Sequence, residues 1–285
     1  MEIKTVGVVG LGTMGAGIAQ VCLQAGVDTI GRDLTDELGE RGRATIDRYL
    51  SRAVEKGRLE PEDKDDALGR FALTTELADL AHCDFVIEAV LEELPLKREL
   101  FGELDGILGA DAILATNTSA LSVTEIATST NRPERVVGMH FFNPAPVLAL
   151  VEIVRTAFTE TAVFEAAYAF GERLGKQPIA CSDTPGFVVN RILIPLLNDC
   201  VRVIDEARVS PEDVDRAMRF GTNWPIGPCA LLDLIGIDVH VHASEALYDA
   251  LREPRMAPPP RLARMAQAGH LGRKSGKGFF EYPRT

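Results

Sequence analysis

The chain has 285 residues, a formal net charge of −12 and 46% hydrophobic content, which is the composition of an ordinary globular protein able to bury a substantial core. The acidic balance argues against nucleic acid or an anionic membrane as the main partner, while a local basic patch still leaves room for an anionic small substrate. Five scattered cysteines (Cys22, Cys83, Cys181, Cys200 and Cys229) form no C-x-x-C pair, so they point to neither a zinc ribbon nor a disulfide framework and suit a reducing, cytoplasmic setting.

The chain opens with a short valine-rich run, Ile3 to Val9, which reads as a strand buried on both faces. Gly10-Leu11-Gly12-Thr13-Met14-Gly15 then fits G-x-G-x-x-G. Ala16 to Ala25 has helical character with Gly26 as its stop, and Val27 to Arg32 reads as a second strand with Asp33 at its end. The run Val6 to Ala25 is too glycine-rich and interrupted for a membrane span. A glycine fingerprint alone is weak, and here it follows a strand, opens a helix and has its acid in place. Gly10 serves the tight turn, Gly12 the approach of a pyrophosphate, and Gly15 the packing of helix on strand. The helix N-terminus offers N–H groups to phosphate, and Asp33 offers a carboxylate to ribose hydroxyls, which favours NAD over NADP. Arg32 pulls the other way, since an arginine there can serve a 2′-phosphate. The alternative is a glycine-rich turn that binds nothing.

Thr35 to Gly57 and Pro61 to Leu68 read as two helices that make an excursion near 35–70. Strands follow at Asp84 to Val90, at Ala112 to Thr116, in "RVVGMHF" ending near His140, and at Leu148 to Val154. Helices are expected at Leu94 to Leu108 and Ser122 to Ala127. Strands alternating with helices give an α/β class with a Rossmann-type parallel sheet. After about Ser182 the pattern turns helical. Gly186 to Ala207 is one long apolar helix interrupted by Pro195, and a serine-capped helix starts at Ser210. Ile237 to Leu251 and Arg261 to Ala268 complete an all-helical C-terminal domain. The boundary falls near Thr184-Pro185, which gives domains 1–184 and 185–285.

In open parallel sheets, ligands bind beyond the carboxyl ends of the strands. Glu88 to Glu92, Asn117-Thr118-Ser119, His140 and Asn190 fall at such places. Each has a plain alternative: a capping turn, surface charge, or a satisfied core group. Glu152 sharpens the case for His140, because a carboxylate inside the apolar run "LALVEIV" needs a partner and a histidine on the next strand supplies one. A carboxylate bonded to one imidazole nitrogen fixes the tautomer and stabilises the imidazolium formed when the other nitrogen takes a proton. That is the base needed to oxidise an alcohol with NAD. No metal site is expected, since His240 and His242 lie on different helix faces.

The motifs "VVGLGTMGAGIA", "VIEAVLE", "TNTSAL", "GMHFFNPAPV", "LVEIV", "DTPGFVVNRIL", "GPCALLDLIGID" and "GRKSGKGFFEY" span the chain nearly end to end. In that order the chain resembles the L-3-hydroxyacyl-CoA dehydrogenase family, of the bacterial 3-hydroxybutyryl-CoA dehydrogenase type, enzymes of fatty-acid metabolism. The resemblance implies that His140 is the catalytic base, Glu152 its partner, and Ser119 and Asn190 the residues that hold the reacting oxygen and thioester carbonyl. Glu92, Lys97, Ser119, Asn143 and Lys274 match cofactor contacts, and Lys56 matches a position that meets coenzyme A. The alternative for Lys56 is a solvated helix lysine. The implied partners are an acyl-CoA substrate and a second copy of the chain, with dimerisation through the helical domain. Two positions depart from the family: Tyr49 stands where serine is frequent, and Trp224 where histidine is, close to the expected acyl pocket. The expected substrate is therefore a short (S)-3-hydroxyacyl-CoA. Alternatives are the same chemistry on 3-hydroxyadipyl-CoA or a carrier-bound thioester, a free hydroxy or sugar acid dehydrogenase, and a catalytically silent NAD-binding protein.

Overall fold

A computed structural model of the chain describes residues 2–283 and divides between Thr184 and Pro185 into two units. The first unit runs in chain order β1 (Thr5–Val9), α1 (Thr13–Gln24), β2 (Asp28–Arg32), α2 (Asp36–Glu55), α3 (Pro61–Gly69) and β3 (Phe71–Thr74). It continues with β4 (Phe85–Glu88), α4 (Leu94–Ile107), β5 (Ile113–Thr116), α5 (Val123–Ala127), β6 (Val136–Phe141), β7 (Leu150–Arg155), α6 (Thr161–Arg173) and β8 (Gln177–Ser182). The strands form one sheet in the order β3-β2-β1-β4-β5-β6-β7-β8. Order reverses between β1 and β4, the place where a Rossmann-type sheet opens its ligand crevice. The central strands β4 and β5 are buried at every position and are apolar up to their last residues, Glu88 and Thr116. Local chemistry sets the helix starts: Thr35 accepts from Leu38 N at the head of α2, Ser122 from Glu125 N at the head of α5, and Pro61 opens α3.

The sheet departs from the all-parallel expectation at one pair. β6 and β7 run antiparallel, while every other neighbouring pair is parallel. Only residues 142–149 separate them, too short a link for a parallel crossover, which takes about a dozen residues or more. The strands β3 and β8 and the helix α6 also lie outside the sequence reading. Both strands are sheet edges, β3 is only four residues long, and β8 is half exposed with Pro178 as its second residue.

The second unit contains α7 (Val189–Glu206), α8 (Pro211–Thr222), α9 (Pro228–Ile235), α10 (Ile237–Leu251) and α11 (Pro260–Gln267). Helix α9 was not anticipated. Its first N–H groups are satisfied from a distance, by Asp215 accepting from Cys229 N at 2.7 Å and Ala230 N at 3.1 Å. Leu197, Val201, Leu232, Ile237 and Leu262 form the unit's core, with Trp224 packed against it. Asp233 fastens the C-terminal segment by accepting from Phe279 N, Phe280 N and the Tyr282 hydroxyl. Helix α7 buries Ile194, Leu197, Val201 and Ile204 and leaves Ile192 and Val203 exposed. No helix among the described residues is long and apolar enough to cross a membrane.

Candidate active site

The glycine turn joins β1 to α1. Gly10 has φ +88°, a left-handed conformation that favours glycine. A Cβ on Gly15 would stand 1.7 Å from the Gly10 carbonyl oxygen, so only glycine lets α1 start this close to the strand. A Cβ on Gly12 would meet nothing within 4 Å, so no protein packing calls for glycine there. An open glycine at the N-cap of a helix with no side-chain cap suits a phosphate group approaching the backbone. Leu11 is buried below the turn, and Thr13 and Met14 make up the first turn of α1. Asp33, just past β2, accepts from Leu11 N at 2.8 Å and from Leu34 N at 2.7 Å, which ties the acid to the turn. Arg32 Nε donates to the Thr75 carbonyl at 3.0 Å. The residues present therefore fit a dinucleotide with free ribose hydroxyls.

Further along the same sheet, Glu88 ends β4 and Thr116 ends β5, paired in register. The Glu88 carboxylate accepts from Val90 N and from Thr116 Oγ1, each at 2.7 Å, and holds Lys97 Nζ at 2.5 Å. Lys97 comes from α4 and is 1% exposed. Its ammonium also lies 3.3 Å from Glu92 Oε2. Glu92 Oε1 accepts from Thr118 Oγ1 at 2.6 Å, Ser119 N at 2.7 Å, Ser119 Oγ at 3.2 Å and Ala120 N at 3.2 Å. Burial raises the Glu92 pKa, and the Lys97 charge with the hydrogen bonds from Thr118 and Ser119 outweighs it, so the carboxyl is held below its ordinary value. Asn117 Oδ1 accepts from Phe141 N at 2.8 Å and ties this turn to the end of β6.

His140 and Glu152 face each other across the antiparallel pair, in direct register. His140 Nδ1 lies 2.6 Å from Glu152 Oε2, and both residues are buried. A carboxylate oxygen can only accept, so the proton between them is carried by Nδ1. The Phe142 ring stacks obliquely on the imidazole, with centroids 4.5 Å apart. Asn143 follows, exposed, in the turn leading to β7. Lys176, at the end of the α6–β8 link, pins that turn through its ammonium to the carbonyls of Ala145 and Leu148.

The structure thus gathers Gly10 to Gly15, Asp33, Glu92, Ser119 and His140 at the ends of β1, β2, β4, β5 and β6 in the first unit, with Glu152 beside His140 in β7 and Lys97 reaching in from α4. Lys56 lies apart, exposed at the C-cap of α2, with Tyr49 two turns earlier on the same face beneath the Arg48 guanidinium. In the second unit, Asn190 is in the first turn of α7, and Lys274 pairs with Asp238 at 2.7 Å. Glu88 and Lys176 are the two site-supporting charges: sequence reasoning placed Glu88 at a strand end without a role and missed Lys176. Both are charged residues that burial alone would forbid. Among the described residues, no group of three or more His, Cys, Asp or Glu side chains could hold a metal.

The glycine turn, the acid after β2 and the buried histidine–carboxylate pair define a nucleotide-dependent dehydrogenase of alcohols. Comparison with known proteins narrows the class. Residues 5–184 match a family model described as 3-hydroxyacyl-CoA dehydrogenase, NAD binding domain, and residues 186–282 match 3-hydroxyacyl-CoA dehydrogenase, C-terminal domain. The chain belongs to the 3-hydroxyacyl-CoA dehydrogenase family. It is 44% identical over 282 residues to 3-hydroxybutyryl-CoA dehydrogenase of Mycobacterium tuberculosis, covering 98% of this chain and 99% of that one. It is 43% identical over 276 residues to a probable 3-hydroxybutyryl-CoA dehydrogenase of Deinococcus radiodurans, covering 97% and 99%. The crystal structure of (S)-3-hydroxybutyryl-CoA dehydrogenase from Ralstonia eutropha superposes with a TM-score of 0.95 at 43% identity, covering 99% of this chain and 100% of that one.

Proposed function

We propose that the chain is an NAD-dependent dehydrogenase that interconverts short-chain (S)-3-hydroxyacyl-CoA and 3-oxoacyl-CoA, as in the pair 3-hydroxybutyryl-CoA and acetoacetyl-CoA. The observation that carries this reading is the buried His140–Glu152 pair at 2.6 Å, on the sheet that bears the nucleotide turn. His140 takes the hydroxyl proton on Nε2, and Glu152 holds Nδ1–H and stabilises the imidazolium. The glycine turn and Asp33 would hold NAD, which would supply the hydride acceptor for the same carbon. The turn Gly10 to Gly15 and the α1 N-terminus receive the pyrophosphate, and Asp33 the ribose hydroxyls. Glu92, Ser119 and Asn143 serve the nicotinamide end, Lys97 acts there through Glu92, and Lys274 is a further cofactor contact. Ser119 and Asn190 hold the reacting oxygen and the thioester carbonyl, and Lys56 meets a coenzyme A phosphate. The chain works as a homodimer in the cytoplasm, with Ile192 and Val203 of α7 in the subunit interface. A sedimentation mass of one chain at micromolar concentration would refute the dimer.

The deciding experiment follows NADH oxidation with acetoacetyl-CoA beside free acetoacetate and an N-acetylcysteamine thioester. Fast turnover on the coenzyme A ester alone supports the reading and a contribution of the coenzyme to recognition. Turnover only on the truncated thioester or the free acid overturns it.

A further inference from the structure

Glu88 occupies the last position of β4, flanked in the sheet by Val9 of β1 and Thr116 of β5. It is completely buried, so its carboxylate touches no ligand and acts only through other groups. The strongest of these is Lys97, whose ammonium is 2.5 Å from Glu88 and 3.3 Å from Glu92. Two carboxylates share one cation, which leaves the trio with one net negative charge. Glu88 is anchored on the rigid centre of the sheet by Val90 N and Thr116 Oγ1. Glu92 sits in the link between β4 and α4, with its side chain 29% exposed. Its Oε2 faces the ammonium, while Oε1 is left for the turn 118–120, where it accepts four hydrogen bonds. That division of labour depends on where the ammonium rests. Held by Glu88, Lys97 reaches Glu92 at long range and on one oxygen. Freed from Glu88, an ammonium in a buried site has one carboxylate left to pair with and closes on it, drawing both Glu92 oxygens away from the turn.

We propose that Glu88 is a positioning residue for Ser119, setting the turn 118–120 through Lys97 and Glu92. The inference rests on the assignment of Ser119 to the reacting oxygen only for its kinetic consequence. The structural consequence stands apart from it and is read first.

Glu88→Gln keeps the volume and removes the charge. In the ligand-free full chain, hydrogen exchange at the Ser119 and Ala120 amides, the two that donate to Glu92, is expected to quicken by about tenfold or more. Exchange in the core of α1 stays as it was. With acetoacetyl-CoA, kcat is expected to fall about tenfold, and the penalty to shrink below about twofold in a Ser119→Ala background, where no hydroxyl remains to be misplaced. A Glu88 that merely supported the fold would impose the same penalty in both backgrounds. Unchanged exchange at 119 and 120, or the same penalty of more than about twofold in both backgrounds, overturns the proposal. Quickened exchange without any kinetic effect supports the positioning and removes Ser119 from the reaction instead. If the single variant does not fold, Glu88→Gln with Lys97→Met removes the ammonium together with its anchor, so nothing draws Glu92 off the turn; exchange at 119 and 120 is then expected to hold, and quickening there would overturn the proposal.

Discussion

Replacing Glu152 with glutamine removes one charge and almost no volume from a site with no solvent to compensate. Glu152 is fully buried, and its oxygen lies 2.6 Å from His140 Nδ1. During oxidation of the alcohol the imidazole takes a proton, and the ion pair then formed spans roughly 4 Å between charge centres. At an effective dielectric of about 20 that attraction is about 4 kcal/mol. A neutral amide hydrogen bond returns about 1 kcal/mol of it. The difference, about 3 kcal/mol, corresponds to a loss of about a hundredfold in rate. A glutamine that turns its NH2 toward Nδ1 deepens the loss, since it selects the tautomer whose Nε2 already carries a proton. The assay is kcat for NAD-dependent oxidation of (S)-3-hydroxybutyryl-CoA at pH 7, with NADH affinity and the melting curve measured on the same preparation. Affinity is expected to hold, because neither residue belongs to the nucleotide turn. His140→Ala, the reference variant, is expected to abolish turnover with NADH binding almost intact. A folded Glu152→Gln enzyme within about threefold of the wild-type kcat would refute the role given to the pair.

Three further outcomes follow from the geometry. Gly12→Ala and Gly15→Ala look alike in sequence and should behave oppositely: the first folds normally and binds NADH at least about tenfold more weakly in a fluorescence titration, because its methyl enters open space facing the phosphates, while the second loses stability, because its Cβ would overlap the Gly10 carbonyl at 1.7 Å. Equal melting temperatures for the two would contradict this. Asp33→Ala is expected to weaken NADH binding and narrow the preference over NADPH, whose 2′-phosphate no longer meets a carboxylate; an unchanged ratio of the two affinities would assign cofactor choice elsewhere. His240 is buried and pushed down from 6.5 to about 4 by desolvation, with Nε2 bonded to Asn198 Oδ1 at 2.9 Å. Between those values the unfolded chain binds the proton and the native chain does not, so this histidine's share of stability is present above about 6.5 and lost as pH falls toward 4, up to about 3 kcal/mol. Urea melts of His240→Gln across that window should show a correspondingly flatter loss, and slopes equal to wild type would exclude the group.

What the sequence disclosed, and what it hid, follows how far each signal reaches along the chain. The nucleotide turn was legible because strand, glycines, helix and Asp33 all sit within one short stretch and each has a single physical reason. The His140–Glu152 pair was legible from a carboxylate in an apolar strand, although its register arises from an antiparallel step that an all-parallel reading lacks. Helix α6 was missed even though Val163, Ala167 and Phe170 mark one buried face at helical spacing. The support behind Ser119 had a readable sign as well. Lys97 falls on the same face of α4 as Leu100, Phe101 and Leu104, all buried, so a lysine there cannot snorkel to water. Glu88 closes the otherwise apolar strand "FVIE". Each charge alone suggests an ordinary surface residue at the edge of an element. Taken together they are two opposite charges on two apolar frames, nine positions apart, and burial leaves them no partner so near as each other. A charge standing on an apolar stripe therefore calls for its counter-charge in the neighbouring element. In this fold that search leads from Lys97 to Glu88, and from there through Glu92 to the turn that carries Ser119.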